Sequence, residues 1–195
     1  MCYAVRGDLM HKEQIILASA SARRRDLMKL MGLEFTVIPS GADERMEPCP
    51  PERYVTALAE RKALYVAKSN PNSIVIGADT VVVLDGDIIG KPKDRDDAYR
   101  ILRSLSGRTH TVYSGISVVY GDCIQTECDM TKVTFAHISD EEIWGYIDSG
   151  DPMDKAGAYG VQGPFCVNIT RIEGSFFTVV GLPVHMLYRM LAKRV

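Results

Sequence analysis

The chain has 195 residues, enough for one α/β domain or two small lobes around a cleft. Its 46% apolar and 25% charged residues are those of a globular protein with a sizeable core, which excludes a disordered or fibrous chain. A formal net charge of −2 speaks against a protein built mainly to bind nucleic acid, although local basic clusters in a cleft can still hold a small anion.

In chain order, Met1 to Met10 combine no basic start with a long apolar stretch, and Lys12 and Glu13 interrupt the chain before Ile15. Neither a secretory signal nor a membrane span is expected, and the reading is a soluble, cytoplasmic protein. Ile15 to Ser19 reads as a short buried strand, followed by a helix from about Arg23 to Met31 that Gly32 ends. Phe35 to Pro39 is a second strand. The polar stretch Ser40 to Pro51, with Pro48, Pro50 and Pro51, is a loop opening onto a helix from about Glu52 to Ser69. Val55, Leu58, Ala59, Lys62, Ala63 and Val66 recur at helical spacing along it, and Asn70-Pro71-Asn72 stops it.

Ile74 to Leu84 is strongly β, and Asp85-Gly86 turns it into Asp87–Ile89. Asp94 caps a helix from Arg95 to Leu105. Thr109 to Val119 and Ile124 to Phe135 are long strands joined near Gly121-Asp122, and Ser139 with Glu142 forms a capping box for a helix ending near Asp148. Val167 to Ile172 and Phe176 to Val180 flank a turn at Glu173-Gly174, and Pro183 stands near the start of the last helix. Two long adjacent strands argue for a mixed sheet with antiparallel hairpins, not a simple alternating parallel one.

Four constellations can carry chemistry. Ser19-Ala20-Ser21-Ala22-Arg23-Arg24-Arg25 lies where a strand enters a helix, a junction with free N–H groups and the positive end of the helix dipole. Hydroxyls and planar guanidinium forks there suit a polyphosphate, and a Ser-capped helix with a solvated basic face is the plainer alternative. Asp79, inside the apolar run Ile76-Gly77-Ala78-Asp79-Thr80-Val81, is costly unless paired, hydrogen-bonded or bound to metal. Metal ligand or base is its functional reading, and an Asp satisfied by backbone amides the alternative. Glu44 and Asp43 in the polar loop offer further carboxylates to a hard cation, or are solvated surface charge.

Gly86 and Gly90-Lys91 come close to a phosphate-binding loop, but the spacing is one residue short and Pro92 replaces the hydroxyl that would hold magnesium. Lys91 and Lys62 remain point-charge partners for phosphate, though a lone lysine on an apolar stripe more often snorkels to the surface. The segment Asp154-Lys155-Ala156-Gly157-Ala158-Tyr159-Gly160-Val161-Gln162-Gly163 lets the backbone approach a ligand, and Gln162 offers both a donor and an acceptor to a nucleobase edge. A tight loop between packed elements explains the glycines equally well. His11, His110, His137 and His185 have no metal or triad spacing and read as core or surface residues, and Trp144 and Tyr146 read as packing residues. Cys2, Cys49, Cys123, Cys128 and Cys166 are odd in number without a C-x-x-C pair, which fits free thiols in a reducing compartment.

The order of these motifs is more specific than any one of them. Ile16-Leu17-Ala18-Ser19-x-Ser21-x-Arg23-Arg24, Ile76-Gly77-Ala78-Asp79-Thr80, Gly90-Lys91-Pro92, Leu105-Ser106-Gly107-Arg108-Thr109-His110 and the segment 154–163 together resemble the Maf family over roughly residues 14 to 193. Met1–Glu13 falls outside the resemblance, as an extension or a misassigned start, and the whole chain reads as a single domain covering 1–195. The resemblance implies a nucleoside triphosphate pyrophosphatase that needs Mg²⁺ or Mn²⁺ and releases a nucleoside monophosphate and pyrophosphate. It implies an α/β fold with an elongated mixed sheet flanked by helices and two lobes around a central cleft, as in the inosine triphosphate pyrophosphatases.

By position, Asp79 resembles the family's proton acceptor, and Arg23, Thr80 and Gln162 its substrate-discriminating positions. Glu44, Lys62 and Lys91 match further polar cleft positions. On this reading Asp79 is catalytic; Ser19, Ser21, Arg23, Arg24, Lys62, Thr80, Lys91, Lys155 and Gln162 bind substrate; and Glu44 with Asp79 holds the metal. The Ala-Gly-Ala-Tyr-Gly-x-Gln-Gly form is similar to the branch acting on dTTP and UTP, with Ala22 and Val161 as minor departures. The expected partner is a nucleoside triphosphate, with no nucleic acid or membrane and with a homodimer as an admissible assembly. The rival readings are a non-catalytic nucleotide-binding regulator of cell division and a nucleic-acid-binding module using Arg23–Arg25.

Overall fold

The computed structural model describes residues 13–192, so the expectations for Met1–Met10, Cys2, His11 and Lys12 lie outside the described residues. Among the described residues a seven-stranded mixed sheet carries six α-helices. The order is β1 (Ile15–Leu17), α1 (Ala22–Leu30), β2 (Thr36–Val37), α2 (Pro51–Ala67), β3 (Ile74–Leu84), β4 (Asp87–Ile89), α3 (Arg95–Leu105), β5 (Thr109–Tyr120), β6 (Cys123–Phe135), α4 (Asp140–Asp148), β7 (Ile169–Glu173), α5 (Phe176–Val180) and α6 (Val184–Ala192). Strands run in the order β2-β1-β3-β5-β6-β7, with β4 on β3. β1 is parallel to β2 and β3, whereas β4 on β3 and β7 on β6 are antiparallel. The mixed sheet expected from the two long strands is therefore present.

The chain forms two compact units. The first takes residues up to Asp79, Ser114–Asp129 and the chain from Gly181; the second takes Thr80–Tyr113 and Met130–Val180. In the first, α2 lies directly on the sheet because two glycines remove side chains beneath it. A Cβ on Gly77 would stand 2.2 Å from the Ala59 carbonyl oxygen, and one on Gly115 2.4 Å from that of Val55. All six residues of the predicted α2 stripe are buried, Lys62 among them. Alternation along β3 puts Asp79 on the same face as Gly77, toward α2. The close seating at Ala59 and Ala63 thus brings Lys62 over Asp79.

Local signals act where expected. Ser21 caps α1 through its side chain, and Gly32 at φ +72° ends it, with Gly32 N–H donating to Lys29 O and Leu33 N–H to Met28 O. Asp85 and Gly86 both take positive φ, as the tight β3–β4 turn requires. Asp94 Oδ1 accepts from Asp97 N–H at 2.8 Å, and the Ser139–Glu142 capping box is complete. The second unit's core gathers Phe135, Tyr146, Tyr159 and Phe165 with aliphatic residues of α3 and α4.

One element differs. Phe176–Val180, β-prone by composition, forms the short helix α5. Gly174 at φ +127° turns the chain after β7, Ser175 N–H donates to Thr131 Oγ1 at 2.9 Å, and Thr178 N–H donates back to Ser175 O. The tertiary bond to Thr131, with the local one from Thr178, overrides the strand propensity of the segment. Val167, expected in the strand, lies in the 3-10 turn Pro164–Asn168 that precedes β7.

Candidate active site

In the first unit, the β1–α1 junction is built around hydroxyls and one arginine. Ser19, buried at the end of β1, accepts a hydrogen bond from Arg24 Nη1 at 3.1 Å and one from Ser21 N–H at 3.3 Å. Arg24 Nε donates to the Gly181 carbonyl at 2.8 Å. Burial lowers the Arg24 pKa, while the negative charges of Asp79 and Glu44 oppose that shift. The capping role foreseen at this junction falls to Ser21, and Arg23 is half-buried on the first turn of α1.

Beside this junction stands an ion cluster. Lys62 and Asp79 are each only 9% exposed, and Lys62 Nζ lies 2.7 Å from Asp79 Oδ1 and 3.0 Å from Glu44 Oε2. The expectation that a lysine on an apolar stripe snorkels outward fails here, because Gly77 seats α2 too closely on β3 and the ammonium meets a buried carboxylate instead. Asp79 is paired through its side chain, not merely satisfied by backbone amides. Asp43 goes elsewhere: Arg45 holds both its oxygens at 3.0 Å or less.

Two carboxylates that share one ammonium form a donor set suited to a hard cation that keeps water and phosphate oxygens as its other ligands. Among the described residues no group of three or more His, Cys, Asp and Glu forms a closed cage. Glu44 and Asp79 fit a cation completed by substrate better than one held by protein alone.

Tyr54 was not foreseen. It sits two helical turns before Lys62 on α2, and burial, then the charges of Asp79 and Glu44, raise the pKa of its hydroxyl. The spacing Tyr54–Leu58–Lys62 is the signal that could have found it.

In the second unit, Thr80 is half-buried on β3, and Lys91 is exposed just after β4. Gly157 N–H donates to the Gly90 carbonyl at 3.0 Å, so the glycine-rich segment lies beside Gly90-Lys91. Gly157 takes φ +70°, and a Cβ there would meet Val82 Cγ2 at 2.7 Å. Gln162 is exposed and makes no hydrogen bond among the described residues. Lys155, expected on substrate, directs its ammonium into its own segment, donating to Asp151 O at 2.5 Å, Asp151 Oδ1 at 2.9 Å and Asp154 Oδ1 at 2.7 Å. Hydrogen bonds and ion pairs thus join Ser19, Ser21 and Arg24 in one group and Glu44, Lys62 and Asp79 in another, within one unit, while Thr80, Lys91, Lys155 and Gln162 belong to the other unit.

His110 is a core residue, one of the two places its lone position allowed, and Trp144 stacks on Tyr99 with ring centroids 4.9 Å apart. Cys49, Cys123, Cys128 and Cys166 are free thiols. Among the described residues no helix is long and apolar enough to cross a membrane.

The family model described as "Maf-like protein" matches residues 14–194. A dTTP/UTP pyrophosphatase of Aquifex aeolicus (strain VF5) is 47% identical over 178 residues, spanning 91% of this chain and 94% of that protein. One from Koribacter versatilis (strain Ellin345) is 47% identical over 180 residues, spanning 92% and 93%. Among solved structures, a HAM1 protein from Coxiella burnetii covers 93% of this chain and 99% of its own with a TM-score of 0.54; at 15% identity the likeness is one of fold.

Proposed function

The chain belongs to the Maf family, and on that premise we propose that it hydrolyses dTTP and UTP to the nucleoside monophosphate and pyrophosphate. The observation that carries the proposal is the buried Lys62–Asp79 pair with Glu44 on the same ammonium, in a chain this similar to dTTP/UTP pyrophosphatases. A non-catalytic sensor has no need of a carboxylate buried at that expense beside a phosphate-binding junction.

The residues divide the task. Ser19 and Ser21 shape the start of α1, and Arg23 and Arg24 present guanidinium groups where its N–H groups and dipole favour phosphate. Lys62 and Lys91 add point charges that offset the charge developing on the departing pyrophosphate. Asp79 accepts the proton of the water that attacks the α-phosphorus. Glu44 and Asp79 would hold Mg²⁺ or Mn²⁺, which when bound supplies charge neutralisation at the phosphates. Thr80 and Gln162 read the pyrimidine, Gln162 through its paired donor and acceptor. Lys155 serves the loop and not the phosphates, since its donors are engaged within the segment. The chain acts as a single Maf-like domain over 1–195, working on free nucleotides in the cytoplasm.

The test is product identification. Purified protein with Mg²⁺ or Mn²⁺ is given dTTP, UTP, CTP, GTP and 7-methyl-GTP in turn. Monophosphate and pyrophosphate from dTTP and UTP are expected. Diphosphate and phosphate would mean attack at the γ-position, and preference for 7-methyl-GTP would overturn the pyrimidine assignment.

A further inference from the structure

Gln162 stands in a turn whose shape is set by Tyr146 and Asp151. Gly163 N–H donates to Gly160 O at 3.3 Å, closing the turn. Gly160 N–H donates at 3.2 Å to the hydroxyl of Tyr146, which itself donates to Asp151 Oδ2 at 2.5 Å. The other oxygen of Asp151 accepts from Lys155. A continuous chain of bonds therefore runs from Asp154 through Lys155, Asp151 and Tyr146 to the backbone of the turn.

The packing is as tight as the bonding. A Cβ on Gly160 would come within 2.8 Å of Lys155 Cε, and one on Gly163 within 3.2 Å of Asp151 Oδ2. The two glycines around Gln162 are thus pressed against the Asp151–Lys155 pair. The roles along the chain are fixed near neutral pH. Although burial pushes the other way, the Tyr146 hydrogen bond and the Lys155 ammonium hold the Asp151 pKa below its usual value, and burial, then Asp151, raises that of Tyr146. Tyr146 remains a phenol donor and Asp151 a carboxylate acceptor. Tyr146 is anchored by its ring, whose centroid lies 4.6 Å from that of Phe165 in the core.

We infer that Tyr146 and Asp151 are positioning residues for nucleobase selection, holding the Gly160–Gly163 turn so that Gln162 meets the base in one orientation. This rests on the reading of Gln162 as the base-recognising group. Neither residue touches phosphate or the reacting atoms on this account, so their loss should appear in KM and in selectivity and leave kcat nearly unchanged.

The experiment measures kcat and KM for dTTP and GTP in the full-length protein and in Gln162→Ala, Tyr146→Phe and Asp151→Asn, with thermal unfolding of each. The expected result is a dTTP-to-GTP ratio of kcat/KM that falls about tenfold or more in all three variants, through KM for dTTP. Tyr146→Phe removes one oxygen and retains the ring on Phe165, so it carries the test if Asp151→Asn does not fold. A ratio that collapses in Gln162→Ala but survives in Tyr146→Phe, or falls there only as kcat falls equally for both nucleotides, overturns the positioning role and leaves the base reading intact. A ratio unchanged in Gln162→Ala overturns the base reading, and the positioning role with it.

Discussion

Lys62–Asp79 in the first unit and His110–Tyr159 in the second are both buried polar pairs, built on opposite principles. Lys62 and Asp79 are 9% exposed, carry opposite charges 2.7 Å apart, and share a third charge with Glu44. His110 and Tyr159 are 2% and 6% exposed and meet through Nε2 and the phenol oxygen at 2.8 Å, while His110 Nδ1 has no hydrogen-bond partner among the described residues. Burial lowers the His110 pKa to about 4 and raises that of Tyr159, so near neutral pH this pair is uncharged. Buried charge is hard to justify by stability alone, since an apolar pair of similar volume serves as well or better. The contrast therefore separates chemistry from architecture: removing the charged pair should stop turnover, and disturbing the neutral one should change only stability.

The sharpest test of that division is Asp79→Asn, which keeps the size of the side chain and removes its charge. Turnover of dTTP should fall by about 10²- to 10⁴-fold, with the protein still folded by circular dichroism. Retained activity would erase the distinction between the two pairs. Next in size is Lys62→Met, which leaves Asp79 buried without its counter-charge. Truncating one member of such a pair costs about 3–5 kcal/mol, read as a lower midpoint in urea. The double variant Lys62→Met/Asp79→Asn should recover stability relative to Lys62→Met alone without recovering activity. If the single variant is as stable as the parent, the pair is solvated and the comparison fails.

These residues also mark how far the sequence could be read. An Asp within an apolar β run was conspicuous in itself, and the α2 stripe containing Lys62 was legible from its period. Their pairing was not, because it depends on how closely Gly77 and Gly115 let the helix approach the sheet, a contact between segments far apart in the chain. The caps at Ser21, Asp94 and Ser139 and the turn at Asp85-Gly86 were legible because each is decided by neighbouring residues. Phe176–Val180 was misleading for the converse reason: its β-branched and aromatic composition is a local signal, and the bonds between Thr131 and Ser175 that decide its fate are not. In the sequence, Lys155 counts among the substrate-binding residues. Asp151, one helical turn earlier, and the adjacent Asp154 engage it, which charge spacing alone hints at but does not decide.

The neutral pair makes the two smaller predictions. An unfolded histidine binds its proton below about pH 6.5, whereas His110 in the fold does so only near pH 4. Between those values the unfolded chain holds more protons, so stability is highest above the range and falls as pH drops through it, by about 3 kcal/mol in all. Urea unfolding followed from pH 7 to pH 4 should show that loss, and His110→Phe should flatten this part of the slope. A slope as steep in the variant would assign the acid sensitivity to other groups. Tyr159→Phe is the mildest change. The ring keeps its place, with centroids 4.8 Å from Phe135 and 6.0 Å from Phe165, so only the hydroxyl is lost. His110 Nε2 then joins Nδ1 without a partner, for about 1–2 kcal/mol of stability. Turnover of dTTP should stay within about twofold of the parent, because nothing in the neutral pair carries charge to the phosphates. A loss of turnover larger than the loss of stability explains would mean that the two pairs are coupled, and that the second unit's core takes part in the chemistry it was expected only to support.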